Sequence, residues 1–246
     1  LKVNVRYAMQ NLIYADESNR NTTRHLLNAG ANAELVNDLL FLDGKASITQ
    51  QNIATFGPTT DNVNITDNIS ETRTYSISPY MRNRYGSIAS SELRYTHDSV
   101  EASTGGLLSS QSDRIQFGLN SGPAFKTLGW GLNYSNQQID YTNGKTIDME
   151  TISGNLRYMV STKLSLNATG GYEKNNYLSI GAKPEGSFWS AGFSWAPMER
   201  TSITASAGKR FFGNTYSLTA KHRTRKTAWS LGYSEDITTT RDQFLV

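Results

Sequence analysis

Residues 187–236 read SFWSAGFSWAPMERTSITASAGKRFFGNTYSLTAKHRTRKTAWSLGYSED. In the first run, Trp189, Ala191, Phe193 and Trp195 fall on one parity, while Ser190, Gly192 and Ser194 fall on the other. That period of two marks a β-strand with one apolar and one polar face. Past the turn Pro197-Met198-Glu199-Arg200, Ile203, Ala205 and Ala207 alternate with Ser202, Thr204, Ser206 and Gly208. Tyr216, Leu218 and Ala220 then alternate with Ser217, Thr219 and Lys221, and Trp229, Leu231 and Tyr233 with Ser230, Gly232 and Ser234. Four successive strands repeat the same two faces. A soluble sandwich turns its bulk inward and its charge outward, but here the polar face is rich in Gly and Ser and the aromatics gather near the turns. The pattern predicts an all-β fold, an antiparallel up-and-down transmembrane β-barrel with a lipid-facing band, aromatic girdles and a polar lumen.

Composition narrows the alternatives. The chain has 246 residues, a mean hydropathy of −0.50 and 37% hydrophobic residues. No stretch approaches the roughly 20 apolar residues of a membrane helix. A barrel needs none, because only alternate residues meet lipid and each backbone group pairs with a neighbouring strand. Tyr 13, Phe 9 and Trp 4 against Pro 5 suit long strands with interfacial aromatics. With no cysteine, a disulfide scaffold and a thiolate metal site are both excluded. The net charge of +3 includes no basic run of the kind that binds nucleic acid. Leu1 opens no visible signal peptide, so the chain is read as a mature chain or an internal portion.

Working outward, residues 1–14 alternate Val3, Val5, Tyr7 and Met9 against Lys2, Asn4, Arg6 and Gln10. Comparable runs follow at 25–36, 40–49, 72–80, 87–98, 114–120, 128–135, 151–158 and 164–173. The strand count is about 13, and a complete barrel would need 14 or more. Links near residues 37, 84, 123, 161, 198 and 224 are short, whereas most of the others, such as 53–70 and 99–112, are long and polar. Outer-membrane barrels have short periplasmic turns and longer extracellular loops. By that rule Leu1 starts on the periplasmic side and Val246 ends near the outside. The odd count, and a final Phe244-Leu245-Val246 that forms no closing strand, predict a single barrel domain over 1–246 that is incomplete at its C-terminus.

Several phrases carry a family resemblance: Asn32-Ala33-Glu34-Leu35-Val36, Thr74-Tyr75-Ser76-Ile77-Ser78-Pro79-Tyr80 and Glu92-Leu93-Arg94-Tyr95-Thr96-His97-Asp98. Pro184-Glu185-Gly186-Ser187-Phe188-Trp189-Ser190-Ala191-Gly192 and Tyr233-Ser234-Glu235-Asp236-Ile237-Thr238-Thr239-Thr240-Arg241 extend it over nearly the whole chain. The chain resembles the outer-membrane β-barrel proteins associated with the PEP-CTERM/exosortase system of Gram-negative bacteria. The resemblance implies a bacterial outer-membrane location, a role near exopolysaccharide or protein-sorting loci, and members usually longer than this chain. It brings no catalytic motif.

Candidate chemistry is sparse, and neither an enzyme nor a cofactor is expected. His97 has lipid-facing parity and lies where a strand meets a long loop, but no matched serine is evident, so an interfacial histidine is the reading. His25 and His222 are isolated. Residues 61–67 (DNVNITD) space oxygen ligands suitably for calcium but lack the Gly and terminal Glu of a calcium loop, which favours a solvated loop. Asn64-Ile65-Thr66 and Asn167-Ala168-Thr169 match glycosylation sequons by chance.

The polar parity is more informative. It collects Lys2, Arg6, Lys45, Arg94, Arg114, Arg157, Lys163, Arg210 and Lys221, with Glu34, Asp43, Glu92, Glu173 and Asp236. Two readings stand: a lumen filled by salt-bridged side chains, making a scaffold that anchors a partner complex, or a hydrated pore favouring anionic or sugar solutes. The pore is preferred because Gly118, Gly129, Gly131, Gly171, Gly192 and Gly208 leave space on that face. The expected pore lining is Arg6, Lys45, Glu92, Arg94, Arg114, Arg157, Glu173, Arg210 and Lys221. The expected lipid-facing aromatics are Trp130, Trp189, Phe193, Trp195, Tyr216, Trp229 and Tyr233. Partners would be outer-membrane lipid, with polysaccharide or envelope-complex proteins, and no nucleic acid.

Overall fold

The alternation is realised as thirteen strands in a computed structural model, which describes residues 1–16, 18, 21–52, 69–103, 108–176 and 184–236. They are β1 (Lys2–Leu12), β2 (Thr22–Val36), β3 (Leu40–Asn52), β4 (Ile69–Tyr85), β5 (Ala89–Ala102), β6 (Ser110–Ser121), β7 (Leu128–Tyr141), β8 (Thr146–Ser161), β9 (Leu164–Asn175), β10 (Glu185–Met198), β11 (Thr201–Arg210), β12 (Gly213–Arg223) and β13 (Ala228–Ser234). One sheet contains all of them in sequence order, each antiparallel to its neighbours, so the up-and-down topology holds throughout. The calcium-loop candidate at 61–67, the sequon at Asn64 and residues 244–246 lie outside the described residues.

Register shows that the two parities stay segregated from strand to strand. Phe41, Tyr80, Arg94, Gln116, Ser135, Thr151 and Glu173 form one continuous row, and all share the polar face. Small polar residues of this face within the apolar stretch, Ser78 and Ser165, are buried. Large apolar side chains on the opposite face are open, with Leu132 at 52% and Leu156 at 53% exposure. Burial is therefore inverted relative to a water-soluble fold, as a sheet curled round its polar face and bathed in lipid requires. No helix among the described residues is long and apolar enough to cross a membrane, and strands need none.

The apolar band has a visible edge. On the outer face β4 passes from Ile77 and Tyr75 to Arg73 and Glu71, and β5 from Leu93 and Tyr95 to Glu101. β6 passes from Phe117 and Ile115 to Asp113 and Gln111, and β8 from Leu156 and Ile152 to Glu150 and Asp148. Beyond that edge the inner face mixes apolar and small polar side chains, with Val100, Ile139 and Ile147 buried beside Ser70, Thr72, Ser110 and Ser112. The ends of β4–β8 therefore project past the lipid as a water-exposed sheet with the ordinary inside-out order. On β8 the outward band runs from Ile152 to Val160, nine residues, which matches the roughly 9–11 residues of a tilted spanning strand.

Some boundaries differ from the sequence reading. The link near residue 84 moves, because β4 continues to Tyr85 and the bend lies at Gly86, whose φ of 59° favours glycine. Ser99–Ala102 and Ser110–Ser112 belong to β5 and β6, so that link spans only 103–109. Links 142–145 and 211–212 are short although they join the long-link ends. A charged residue forced into the band should therefore be costly. Leu231→Arg and Leu218→Arg are expected to destabilise the folded state by about 2–4 kcal/mol near the bilayer midplane, measured by reversible unfolding in lipid vesicles. The inner-face change Thr219→Arg on the same strand should cost far less, and equal costs on the two faces would contradict the lipid assignment.

Candidate functional site

The inner wall collects most of the charge in the strands, and three arrangements organise it. On β3–β5, Arg94 donates from Nη1 to Asp43 at 2.9 Å and from Nε to Glu92 at 3.1 Å, while Arg82 donates from Nη2 to Glu92 at 2.8 Å. Asp43 and Arg94 stand two strands apart, so this chain of charges spans β4. Beneath it, Phe41 stacks on Tyr80 with ring centroids 5.0 Å apart, and the Arg94 guanidinium lies 3.8 Å from the Tyr80 centroid. Aromatic faces attract such a cation and hold its plane. On β9–β11, Arg210 makes a two-point contact with the Glu173 carboxylate, 3.1 Å from Nε and 2.5 Å from Nη2, and a further bond to Asp236. Glu173 is only 2% exposed. On β6–β7, Arg114 donates to the Gln137 carbonyl oxygen at 2.8 Å, and Gln137 donates to Ser112 at 2.9 Å.

The remaining expected lining residues behave differently. Arg6, Lys45, Arg157 and Lys221 share the inner face, and among the described residues none has a carboxylate within ion-pair distance. Arg157 donates to the Met159 sulfur at 3.2 Å. Asp43, Lys45, Ser78, Arg94, Asp98 and Arg114 help to line an inner hollow of about 540 Å³. Two carboxylate-bearing networks thus coexist on one wall with cations that no carboxylate contacts directly, Lys45 lying near enough to Asp43 to interact with it through space. Of the other residues grouped with the polar parity, Lys163 occupies the β8–β9 turn and Asp236 lies just beyond β13.

Glycine did not leave all the space that the sequence suggests. A Cβ at Gly171 would lie 2.7 Å from the Phe188 ring, so this inward phenylalanine fills the gap from β10. At Gly131 the Asn155 and Asn120 side chains close in at 2.5 and 2.7 Å. Gly118 meets nothing nearer than 3.7 Å and does leave room. Phe188 was legible as an alternation break, being apolar on the polar parity, although only its partner Gly171 explains it.

On the opposite face stand all the expected aromatics. Trp189, Phe193, Trp195, Tyr216, Trp229 and Tyr233 are exposed, while Trp130 is half-buried against Phe125 in an edge-on contact with centroids 5.8 Å apart. Each histidine has a partner: His25 with the Tyr7 hydroxyl, His222 with Thr201 and His97 with Asp113, all at 2.8 Å. No group of His, Asp or Glu among the described residues could hold a metal ion.

No protein-family model and no curated protein matches the chain. Among solved structures it is similar to the KdgM porin in complex with disordered oligogalacturonate, at 9% identity and a TM-score of 0.43, covering 91% of this chain and 98% of that one. It is also similar to a loop L8 deletion mutant of OmpT, an outer membrane protein of Vibrio cholerae, at 13% identity and a TM-score of 0.48, covering 92% and 99%. A third, the alcaligin outer membrane receptor FauA from Bordetella pertussis, has 16% identity and a TM-score of 0.43, covering 93% of this chain and 45% of that one. At such identities no residue role transfers.

The buried Glu173 gives a direct energetic test. Glu173→Gln removes the charge that faces Arg210 and should destabilise the barrel by about 1.5–3 kcal/mol. A double-mutant cycle with Arg210→Gln should recover part of that loss, because Arg210 is then no longer held by Asp236 alone. Strictly additive effects would mean that the two side chains do not support each other.

Proposed function

We propose that this chain is a porin-like β-barrel of the bacterial outer membrane whose inner wall passes anionic or sugar solutes. The observation that carries the reading is the set of inward cations, Arg6, Lys45, Arg157 and Lys221, none of them in direct contact with a carboxylate among the described residues. Facing water, a guanidinium keeps its charge and five donors and holds carboxylates or sugar hydroxyls transiently. Several weak sites suit passage, since a single tight one would trap the solute. Consistent with the family resemblance, we place this transport in exopolysaccharide export or envelope traffic linked to the PEP-CTERM/exosortase system.

A second reading has its own observation. Arg94 and Arg210 are held by Asp43, Glu92 and Glu173, and side chains crowd Gly131 and Gly171. These features suit a structural barrel that anchors a partner complex without conducting. Planar-bilayer recording separates the two. The pore reading expects conductance with anion selectivity, and Lys45→Gln with Arg157→Gln should move the reversal potential across a salt gradient toward the cation value. The double change should also weaken block by acidic oligosaccharides. A folded barrel that does not conduct would support the anchor, and a conducting barrel with unchanged selectivity would sink the role given to these cations.

A further inference from the structure

We propose that the lipid-facing wall carries an ester-cleaving site built from Ser99, His97 and Asp113, acting on an acyl ester of the surrounding membrane lipid. His97 Nδ1 bonds Asp113 Oδ1 at 2.8 Å across β5 and β6, where the two residues are register partners. An acceptor on Nδ1 places the ring proton there and leaves Nε2 with its lone pair, the state a general base needs. Ser99 stands two residues along β5 on the same outer face, roughly 6.6–6.8 Å further on. Neither the Ser99 hydroxyl nor His97 Nε2 has a hydrogen-bond partner among the described residues. Gln111, the register partner of Ser99 on β6, is exposed on the same face, and its amide N–H groups can face an oxyanion formed at Ser99.

Two further observations point to a lipid ester. First, these residues sit at the edge of the apolar band. Outward side chains change from Tyr95 to Glu101 on β5 and from Ile115 to Gln111 on β6, and the Tyr95 hydroxyl donates to Asp113. Interfacial tyrosines mark the headgroup level, where lipid ester groups lie. Second, His97 and Ser99 form one end of an apolar hollow of about 460 Å³ on the outer wall. Its floor is Ala29, Ala31, Gly44 and Ala46, in register with Ser99 and His97 through Tyr75 and Ile77. Small side chains on neighbouring strands make a dent in a wall otherwise bulky, and in a bilayer its occupant is an acyl chain.

The reaction balances with water alone. Ser99 Oγ bonds to the acyl carbonyl carbon while its proton passes to His97 Nε2. The tetrahedral adduct then expels the lipid alkoxide, which takes the proton from the imidazolium. Water next attacks the acyl-serine, giving its proton to Nε2, and the departing Ser99 oxygen recovers it as the fatty acid leaves. Ser99 and His97 are the catalytic residues, whereas Asp113 is a positioning residue acting through His97.

The test uses the full chain folded into vesicles of phosphatidylethanolamine, with fatty-acid release as the readout and heat-modifiable electrophoretic mobility as proof of folding. The wild-type barrel should release fatty acid, and a fluorophosphonate probe should label the peptide containing Ser99. Ser99→Ala and His97→Gln should each lower the rate roughly a hundredfold or more while remaining folded. Asp113→Asn should lower kcat with KM unchanged, a split that loss of packing would not produce. If Ser99→Ala misfolds, Ser99→Thr and the position of the probe label stand in for it. A folded wild-type barrel without release, or release and labelling that survive Ser99→Ala, overturns the proposal. Neither result bears on conductance.

Discussion

Backbone hydrogen bonding in a solvent without water is the constraint on which the rest of this structure depends. An unpaired N–H or C=O in hydrocarbon costs several kcal/mol, so a strand can cross only with a neighbour on each side. Nearest-neighbour pairing satisfies this for β2–β12 with the shortest connections, and the strands follow that order without a crossover, with β1 and β13 at the edges of the sheet among the described residues. Once strands pair in register, the period of two is copied from one to the next. Ser217, Thr219 and Lys221 then have no choice of face, because Leu218 and Ala220 occupy the other.

That division settles where charge can lie. Within the band an outward ion meets lipid, so Lys45, Arg94 and Arg157 turn inward, where they find carboxylates, aromatic faces or water. Asp43, Glu92 and Glu173 neutralise some, and Tyr80 supports Arg94 from below. The inner wall is therefore part truss and part charged lining. Beyond the band the solvent reverts to water and so does the pattern, with Ile139 and Ile147 inside and Asp140 and Glu150 outside. His97, Ser99 and Asp113 occupy the transition between the two regimes, where polar side chains on the outer face carry no large penalty.

Much of this was legible in the sequence, for a physical reason. Alternation is a local property, so the strands around Trp189, Ile203, Leu218 and Leu231 could be read one at a time. The run 136–150 (NQQIDYTNGKTIDME) resisted, because its apolar members Ile139 and Ile147 point inward while its outward residues are polar. That phase reversal looks like a loop when a lipid-facing band is the template, yet β7 and β8 pair through it. Cross-strand partners were also out of reach. Nothing near Arg210 in the chain announces Glu173, and nothing near His97 announces Asp113, since register between strands decides both. Glycine on the polar parity suggested open space, but Phe188 covering Gly171 depends on a neighbour that local reading does not supply.

The central claim is that alternate residues of each strand face lipid and water. Because the chain has no cysteine, single cysteines can be placed one at a time from Ile152 to Val160 on β8 and spin-labelled in the bilayer. The account predicts that oxygen collision rates peak at positions 152, 154, 156, 158 and 160, while a water-soluble nickel chelate peaks at 153, 155, 157 and 159, the two curves running out of phase. Curves that rise and fall together, or a period near 3.6, would contradict a barrel wall between lipid and a polar interior.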